Sequence, residues 1–273
     1  MKVCMLGSGS RGNSTLVASG NTRVLIDAGF SGRQLRERLR EVGIEPEEID
    51  AVVVTHEHGD HTRGAGVFAR RHGTPLYMTP ATREACGRLL RGGEEIRSYR
   101  PGTPFRIGSL TLEPFLTVHD ARDPVAVTVT GLECGTRVGV ATDLGRPTAA
   151  IRHSLRECDF LIIEANHDES MLRSSPYPVA VQARIASSHG HLSNHAAAAL
   201  ACDLVHPRLA GILLAHLSGE CNRPELALEV VRAALGRTGW KGWVEVASQH
   251  VPTPFLDISR MRREAGPDQL SLI

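Results

Sequence analysis

Apolar positions recur along the chain with two spacings, one typical of helices and the other of strands. A spacing of three to four residues, as between Leu35 and Leu39, predicts helices at 31–43, 61–72, 80–91, 147–157, 194–205 and 223–236. Short apolar or β-branched runs predict strands at 3–6, 14–18, 22–26, 51–55, 75–79, 105–107, 110–118, 125–130, 137–142, 159–164, 210–215 and 243–247. The first predicted strands form a hairpin group, and the next ones alternate with helices. Strands then cluster again before a second group of helices. This order predicts two sheets with helices packed outside, a four-layer αββα sandwich.

The pattern fits one domain over residues 1–262, followed by a flexible tail at 263–273. A hydrophobic content of 41% and a charged content of 22% are ordinary for a soluble globular protein. We find no apolar stretch near the roughly 18 residues of a membrane span, and no apolar core of a signal peptide at the start. Six scattered cysteines without a C-x-x-C pair predict free thiols in a reducing cytoplasm.

The net charge of +1 does not by itself indicate a nucleic-acid partner. All but two of the 31 basic residues are arginines, and arginine forms bidentate contacts with phosphate. Arginine-rich coding from a GC-rich genome explains the same bias and is the better explanation.

The stretch GSGSRG at 7–12 matches G-x-G-x-x-G, the fingerprint of a loop that binds a dinucleotide. That function requires a helix directly after the loop, whose N-terminus holds the pyrophosphate. Here a β-prone run at 14–18 follows instead, then a turn and a second β-prone run at 22–26. We therefore expect a tight β-turn between two strands, and neither NAD nor FAD as a cofactor.

The stretch HEHGDH follows the predicted strand at 51–55 and carries the strongest chemical signal. Three imidazoles and two carboxylates within six residues are costly to bury unpaired, but at a strand end they can converge on a metal ion. Alternation places His56 and His58 on one side, and Gly59 permits a sharp turn that brings Asp60 and His61 to the same site. A polar loop that happens to be rich in histidine is the alternative.

Four other polar residues share the same position in the sequence, directly after an apolar run. They are His119 after FLTV, Asp143 after VGVAT, Glu164 after DFLII and His216 after GILLA. This repetition predicts one site built at the ends of several strands. For each of His119, Asp143 and His216 taken alone, an ordinary polar residue at a strand end remains the alternative.

THEHGDH resembles the signature of the metallo-β-lactamase superfamily. More closely, the chain resembles the YycJ (WalJ) family in eight blocks: GSGSRGNST, LIDAGFSGRQL, VTHEHGDHTRG, VHDARDP, ATDLG, EANHDESML, YPVAVQARIASSHGHLSN and LAHLSGECNRPELAL. The blocks span roughly residues 5 to 230. The resemblance implies the metallo-β-lactamase sandwich and a cytoplasmic, metal-dependent 5′ to 3′ DNA exonuclease. It also implies that the glycine loop is the first β-turn of this fold, near the metal site.

Ligand roles follow from the same resemblance. It assigns His56, His58 and His119 to a first divalent ion, assigns Asp60, His61 and His216 to a second, and makes Asp143 the bridge. A bridging hydroxide would then attack the phosphodiester, with Asp60 also orienting this nucleophile. Imidazole-rich ligation suits Zn, and mixed histidine and carboxylate ligation also admits Mn or Fe.

Further residues are expected to act on the substrate. His191 in HGHLSN resembles a non-ligand histidine of related nucleases that protonates the leaving oxygen, and Glu164 is expected to hold its imidazole. Ser193 and Asn194, at the start of a predicted helix, are expected to donate to phosphate. Arg146, where the family often has an aromatic residue, is expected to make a phosphate contact. A turn residue that caps the helix is the alternative for His191.

Two other functions remain open. A small-molecule phosphodiesterase or thioester hydrolase of the same fold is favoured by the lack of a long insertion that would bind a polymer. The pairing of His191 with Glu164 favours a phosphodiester, because thioester hydrolysis has no need of it. A non-catalytic binding module would have no reason to keep the full ligand set.

The chain ends in Gln269-Leu270-Ser271-Leu272-Ile273, which resembles the peptide by which bacterial polymerases and repair enzymes dock on the sliding clamp. Leu270, Leu272 and Ile273 are expected to fill an apolar pocket, while Gln269 supplies hydrogen-bond specificity. An apolar tail that packs back on its own sheet is the alternative.

Overall fold

The computed structural model describes residues 1–265. Its strands are β1 Lys2–Gly7, β2 Ser14–Ser19, β3 Thr22–Ile26, β4 Ala51–Val53, β5 Leu76–Met78, β6 Ile96–Ser98, β7 Phe105–Ile107, β8 Leu110–Leu116, β9 Val125–Gly131, β10 Arg137–Ala141, β11 Phe160–Glu164, β12 Gly211–Ala215, β13 Trp243–Val246 and β14 Leu256–Asp257. Its helices are α1 Gly32–Glu41, α2 Gly59–Thr62, α3 Ala65–His72, α4 Pro80–Ala85, α5 Ala149–Leu155, α6 Glu169–Ser174, α7 Val179–Ile185, α8 Asn194–Asp203, α9 Pro224–Gly236 and α10 Ile258–Ala265, with a 3-10 turn at Pro46–Glu48.

The strands form two seven-stranded sheets of mixed direction, one from β1 to β6 with β14 and the other from β7 to β13. The first has the order β14-β1-β2-β3-β4-β5-β6 and the second the order β13-β12-β11-β10-β9-β8-β7. In the first, β3, β4, β5 and β6 are parallel neighbours. In the second, β10, β11, β12 and β13 are parallel neighbours. The carboxyl ends of parallel strands share one edge of a sheet, so residues that follow them are brought together.

Three buried cores separate the layers. Val24 and Ile26 of β3 point into the core between the sheets, where they join residues such as Leu213 of β12. Leu25, between them in sequence, points outward and packs under α1 and α3. A third core lies between the second sheet and helices α5, α8 and α9. Because both faces of the central strands are buried, these strands are apolar throughout. The predicted four-layer αββα sandwich is confirmed.

The sequence pattern located the main elements but missed several small ones. Strands β6 and β14 are short edge strands, and α6, α7 and α10 were not predicted. Helix α7 has seven residues and buries none of them, so its short apolar face at Val181 and Ile185 was not enough to predict a helix from the sequence. The helix predicted at 61–72 is divided into α2 and α3 at Gly64, where a side chain would overlap the carbonyl oxygen of Phe30.

The C-terminal helix α10 extends to Ala265, so residues 263–265, assigned to the tail from sequence, are helical. The remaining tail, with Gln269, Leu270, Leu272 and Ile273, lies outside the described residues. Among residues 1–265, no helix combines the length and apolar character needed to cross a membrane. The division into a hydrolase domain and a tail stays a prediction.

Candidate metal centre

The predicted ligands lie at one edge of the sandwich because most of them follow the end of a strand, while Asp60 and His61 lie in α2 just beyond His58. His56 and His58 come after β4, and His119 comes after β8. Asp143 and His216 come after β10 and β12, on either side of β11, whose last residue is Glu164. The structure thus brings together residues that are far apart in sequence.

Two triads of side chains face each other across this edge. In one, ligand atoms of His56, His58 and His119 lie within 4.8 Å of one another. In the other, ligand atoms of Asp60, His61 and His216 lie equally close. Asp60 Oδ2 is 3.3 Å from Nε2 of His216 and 3.4 Å from Nε2 of His61. These are two of four overlapping groups that meet this distance, and they are compatible with the assignment that the family resemblance implied.

Asp143 lies between the triads. One carboxylate oxygen is 3.0 Å from Nε2 of His61, and the other is 3.4 Å from Nε2 of His119. The side chain is buried, and the neighbouring imidazoles of His216 and His61 outweigh its burial and hold its pKa well below the usual value. Asp143 is therefore an anion with one oxygen toward each triad.

Most of the ligand histidines are fixed through Nδ1, which leaves Nε2 directed at the centre. His56 Nδ1 donates to Thr55 Oγ1 at 3.0 Å, because that hydroxyl itself donates to Asp27. His119 Nδ1 donates to the carbonyl oxygen of Gly190 at 3.0 Å, and His216 Nδ1 donates to Glu164 at 2.8 Å. Such partners set the tautomer and the orientation that metal coordination requires.

Buried atoms without partners test whether a cation fits. His56 Nε2 makes no hydrogen bond although its residue is 1% exposed, and Asp143 Oδ2 makes none either. Leaving such groups unsatisfied is costly, and a divalent cation would satisfy both. Burial, reinforced by His61, also lowers the pKa of His56 well below its usual value, which keeps the imidazole in its neutral, ligating form. The side chains present therefore suit divalent metal ions.

Asp27 is a functional residue that the sequence analysis missed. Its carboxylate accepts from His61 Nδ1 at 2.7 Å and from the backbone N–H and hydroxyl of Thr55. It therefore orients His61 directly and His56 through Thr55. The signal was present, because Asp27 follows the apolar run at 22–26 just as the ligands follow theirs.

Three residues of the site adopt the left-handed backbone conformation, with φ values of 64° at Asp27, 57° at Asp143 and 56° at His216. This region is uncommon for residues other than glycine and costs on the order of 1–3 kcal/mol at each position. Asp27 and His216 directly follow a strand and Asp143 follows one by two residues, so the abrupt change of direction turns each side chain into the site.

The opening glycine loop supports the metal centre. It joins β1 to β2, as predicted, and Asn13 within it donates its backbone N–H to the carbonyl oxygen of Asp60 at 2.8 Å. The Asn13 amide nitrogen also lies 3.2 Å from the Asp60 carboxylate. Ser8 accepts from the backbone N–H of His216 at 2.8 Å. The loop thus joins the turn that carries Asp60 to the strand end that carries His216.

His191 and Glu164 form the expected pair, with Nδ1 of the imidazole 2.7 Å from the carboxylate. Glu164 is fully buried, yet His191 and His216 outweigh that burial and lower its pKa to about 2. Burial opposes protonation of His191, but the carboxylate raises the pKa of its imidazole above the usual value. The same carboxylate holds both His191 and His216, which the sequence did not indicate.

The expected phosphate donors lie elsewhere. Asn194 is completely buried, and its amide group exchanges hydrogen bonds with that of Asn222 at 2.8 and 2.9 Å. Its side chain is turned away from solvent and does not line the cleft, so this arrangement disfavours the predicted phosphate contact. Ser193 caps α8 by accepting from the backbone N–H of Ala196 and does not line the cleft. Arg146 is exposed on the loop after β10, outside the cleft lining.

A cleft of about 440 Å³ opens over the triads. Asp60, Asp143 and His191 lie in its floor, and the segment from Tyr177 to Ile185, with α7, contributes part of its lining. This segment contains no predicted site residue, because the sequence analysis did not predict α7.

Comparison with known proteins defines the class. A family model described as the Beta-lactamase superfamily domain matches residues 22–213. The metallo-β-lactamase-fold protein YhfI of Bacillus subtilis has a similar structure, with a TM-score of 0.70 at 20% identity over 92% of this chain and 98% of that one. Together with the histidine and aspartate clusters, these findings define a hydrolase of the metallo-β-lactamase fold.

Two curated relatives narrow the class to a family. Exodeoxyribonuclease WalJ of Streptococcus pneumoniae is 35% identical over 83% of this chain and 85% of its own. Exodeoxyribonuclease YycJ of Bacillus anthracis is 30% identical over 86% of this chain and 89% of its own. The chain belongs to the family of these WalJ and YycJ proteins within the β-lactamase superfamily.

Proposed function

We propose that this protein is a dinuclear metal-dependent phosphodiesterase that degrades DNA from its ends in the 5′ to 3′ direction. The observation that carries the proposal is the sharing of Asp143 between two triads, His56, His58 and His119 on one side and Asp60, His61 and His216 on the other. When bound there, two divalent ions would acidify a water as nucleophile and neutralise charge on the phosphodiester.

The chain's own residues supply the proton chemistry. Glu164 engages Nδ1 of His191, so Nε2 is the nitrogen left to protonate the departing oxygen. The carboxylate stabilises the charged imidazolium and thereby keeps a proton available. Asp60, in the floor of the cleft, is placed to orient the nucleophile. A thioester needs no such proton donor, so the His191–Glu164 pair favours a phosphodiester substrate.

The substrate and the cofactor rest on separate support. The curated relatives are named exodeoxyribonucleases, which supports DNA as the substrate. The direction of degradation rests on the family resemblance. Five histidines with carboxylates suit Zn or Mn, with Fe also compatible. A cytoplasmic location is part of the proposal and is supported by the free state of all six cysteines.

One set of assays tests the proposal. Metal-replete protein should contain two ions per chain by elemental analysis, and Asp143→Ala should lower that number. With Mn or Zn present, it should shorten DNA labelled at one end, and the choice of labelled end reports the direction. RNA and bis-p-nitrophenyl phosphate serve as the other substrates.

Each alternative has its own outcome. Cleavage of bis-p-nitrophenyl phosphate without cleavage of DNA would indicate a small-molecule phosphodiesterase, and hydrolysis of a thioester alone would indicate the other alternative. One ion or fewer per chain, unchanged in Asp143→Ala, would contradict the dinuclear site.

We also propose that the C-terminal residues Gln269, Leu270, Leu272 and Ile273 bind a bacterial sliding clamp. The support is the resemblance of these residues to clamp-binding peptides. A single weak anchor would raise the concentration of the nuclease on clamp-loaded DNA. Full-length protein should bind the clamp, and a chain ending at Asp268 should not. Equal binding of the two, or none, would exclude this interaction without affecting the nuclease proposal.

A further inference from the structure

One wall of the cleft carries an apolar face that the cores of the protein do not cover. Val181 and Ile185 are four residues apart and lie on one side of α7, and Tyr177 lies two residues before the helix. All three line the cleft, and no residue of α7 is buried in the cores of the protein. An apolar face that is left beside a catalytic centre is available to a ligand.

The end of this wall is held in a fixed position relative to the metal centre. His191 donates its backbone N–H to the carbonyl oxygen of Ile185 at 2.9 Å. A side chain at Gly190 would overlap the carbonyl oxygens of Arg184 and Ile185, so only glycine permits this approach. The carbonyl oxygen of Gly190 in turn accepts from the ligand His119. The C-terminal end of α7 is therefore coupled to a predicted metal ligand.

Arg184 carries a positive charge at the mouth of the cleft. Its guanidinium lies 3.3 Å from Asp120 Oδ2, while Asp120 Oδ1 lies 3.2 Å from Nε2 of His119. The Arg184 side chain is 65% exposed, and exposed ion pairs of this kind contribute little to stability because water competes for both partners. A phosphate that enters the cleft could therefore replace Asp120 as the partner of Arg184, and arginine suits phosphate by its bidentate geometry.

Tyr177 supplies an aromatic surface where aromatic residues are scarce. Aromatic residues make up 4% of the chain, and the other two tyrosines, Tyr77 and Tyr99, are buried in the core between the sheets. Nucleobases stack on exposed aromatic side chains with little dependence on sequence.

We propose that Tyr177 and Arg184 bind one nucleotide of a single DNA strand beside the scissile phosphodiester. Tyr177 stacks on the base, and Arg184 contacts a phosphate that displaces Asp120. Tyr177 and Arg184 both line the same cleft of about 440 Å³ as Asp60, Asp143 and His191. The inference rests on the proposed nuclease function and names the residues that select a strand over a free phosphodiester.

The test is a binding titration. Metal-replete protein is added to a fluorescently labelled single-stranded oligonucleotide with phosphorothioate linkages, and binding is measured by fluorescence anisotropy. Tyr177→Ala should weaken binding by about fivefold or more, the loss that follows removal of one stacking residue. Arg184→Ala should weaken binding and reduce the salt dependence of log K by about 0.7, as for one phosphate contact on a single strand. The metal content of each variant is measured beside its binding, so that affinities are compared at equal metal content.

Matched variants and an altered substrate sharpen the test. Val179→Ala changes the most exposed apolar residue of α7, outside the cleft lining, and should bind normally. Arg237→Ala removes an exposed arginine at the end of α9 and should keep the full salt dependence. In a series of oligonucleotides, an abasic site is moved along the strand one position at a time. At one position, Tyr177→Ala and the unmodified protein should bind with equal affinity. Arg184→Ala should still bind more weakly at that position.

The failures are distinguishable. If unmodified protein cleaves DNA but Tyr177→Ala and Arg184→Ala bind it as Val179→Ala does, this inference is overturned and the nuclease proposal stands. If the loss in Tyr177→Ala persists with an abasic site at every position, stacking is overturned. If unmodified protein hydrolyses bis-p-nitrophenyl phosphate but neither binds nor cleaves DNA, both proposals fail.

Discussion

Asp27 accepts a hydrogen bond from Nδ1 of His61 at 2.7 Å, while Nε2 of the same ring lies 3.0 Å from Asp143. The carboxylate of Asp27 thus fixes the tautomer in which Nε2 can bind a cation. It does so from a buried position with a left-handed backbone conformation. Partners of this kind contribute to metal affinity without touching the metal.

Replacing Asp27 with asparagine should therefore weaken metal binding while the ligands stay in place. We expect a loss of about 10- to 100-fold in affinity, the usual effect of removing such a partner. Competition with a chelator measures it. Asp50→Asn is the control, because Asp50 also accepts from a backbone N–H, that of Arg23, but lies on the exposed surface. Equal affinities in the two variants would contradict the role of Asp27.

His191→Ala should leave the metal content unchanged and slow DNA cleavage by about 10²- to 10⁴-fold, the usual range for general acid catalysis. The defect should shrink on bis-p-nitrophenyl phosphate, since nitrophenolate leaves without a proton. His195→Ala is the control, because that imidazole also pairs with a glutamate, Glu169, on the exposed surface. An equal loss on both substrates would show that His191 is not the proton donor.

Glu164→Gln should show a mixed defect. Its carboxylate holds His191 at 2.7 Å and His216 at 2.8 Å, so one substitution disturbs both the proton donor and a predicted metal ligand. We expect slower cleavage together with a lower metal content. In His191→Ala, by contrast, the metal content should be unchanged. Elemental analysis of the two variants side by side distinguishes these effects. A full metal content in Glu164→Gln would show that His216 does not depend on this hydrogen bond.

Gly29→Ala should destabilise the protein and disturb its metal site together. A Cβ at Gly29 would overlap the backbone carbonyl oxygen of Asp60, which belongs to the turn that carries two predicted ligands. Overpacking of this kind costs about 1–3 kcal/mol, measured as the change in free energy of unfolding by denaturant titration. Gly236→Ala, at the end of α9 with open space around it, should be neutral or stabilising. Similar stability of both variants would contradict the close approach.

Cys134 should be the thiol that reacts first with iodoacetamide. Burial opposes its ionisation, but hydrogen bonds from Thr136 and Ser259 lower its pKa to about 7. Burial raises the pKa of Cys4 to about 11 and that of Cys158 to about 12. Because the thiolate is the nucleophile, the alkylation rate of Cys134 should rise with pH and reach half its maximum near pH 7. Peptide mass spectrometry after timed quenching identifies the modified cysteine.

The sequence by itself determined the sandwich and the metal-ligand candidates. Buried strands are apolar throughout, so they are visible without knowledge of their neighbours. A titratable residue directly after such a strand lies at the edge of the sheet where the parallel strands end. This is why His56, His119, Asp143 and His216 could be located from local pattern, and why Asp27 could have been located by the same rule.

Only the tertiary structure decided which side chains pair, because pairing depends on the packing of segments that are distant in sequence. Asn194 gives its amide to Asn222 and is lost to the substrate, whereas Glu164 serves both His191 and His216. Helix α7 leaves only a short apolar face in the sequence, since it packs beside the cleft and not on a core. Its position is fixed by close contacts at Gly190, and such contacts exist only once the chain has folded.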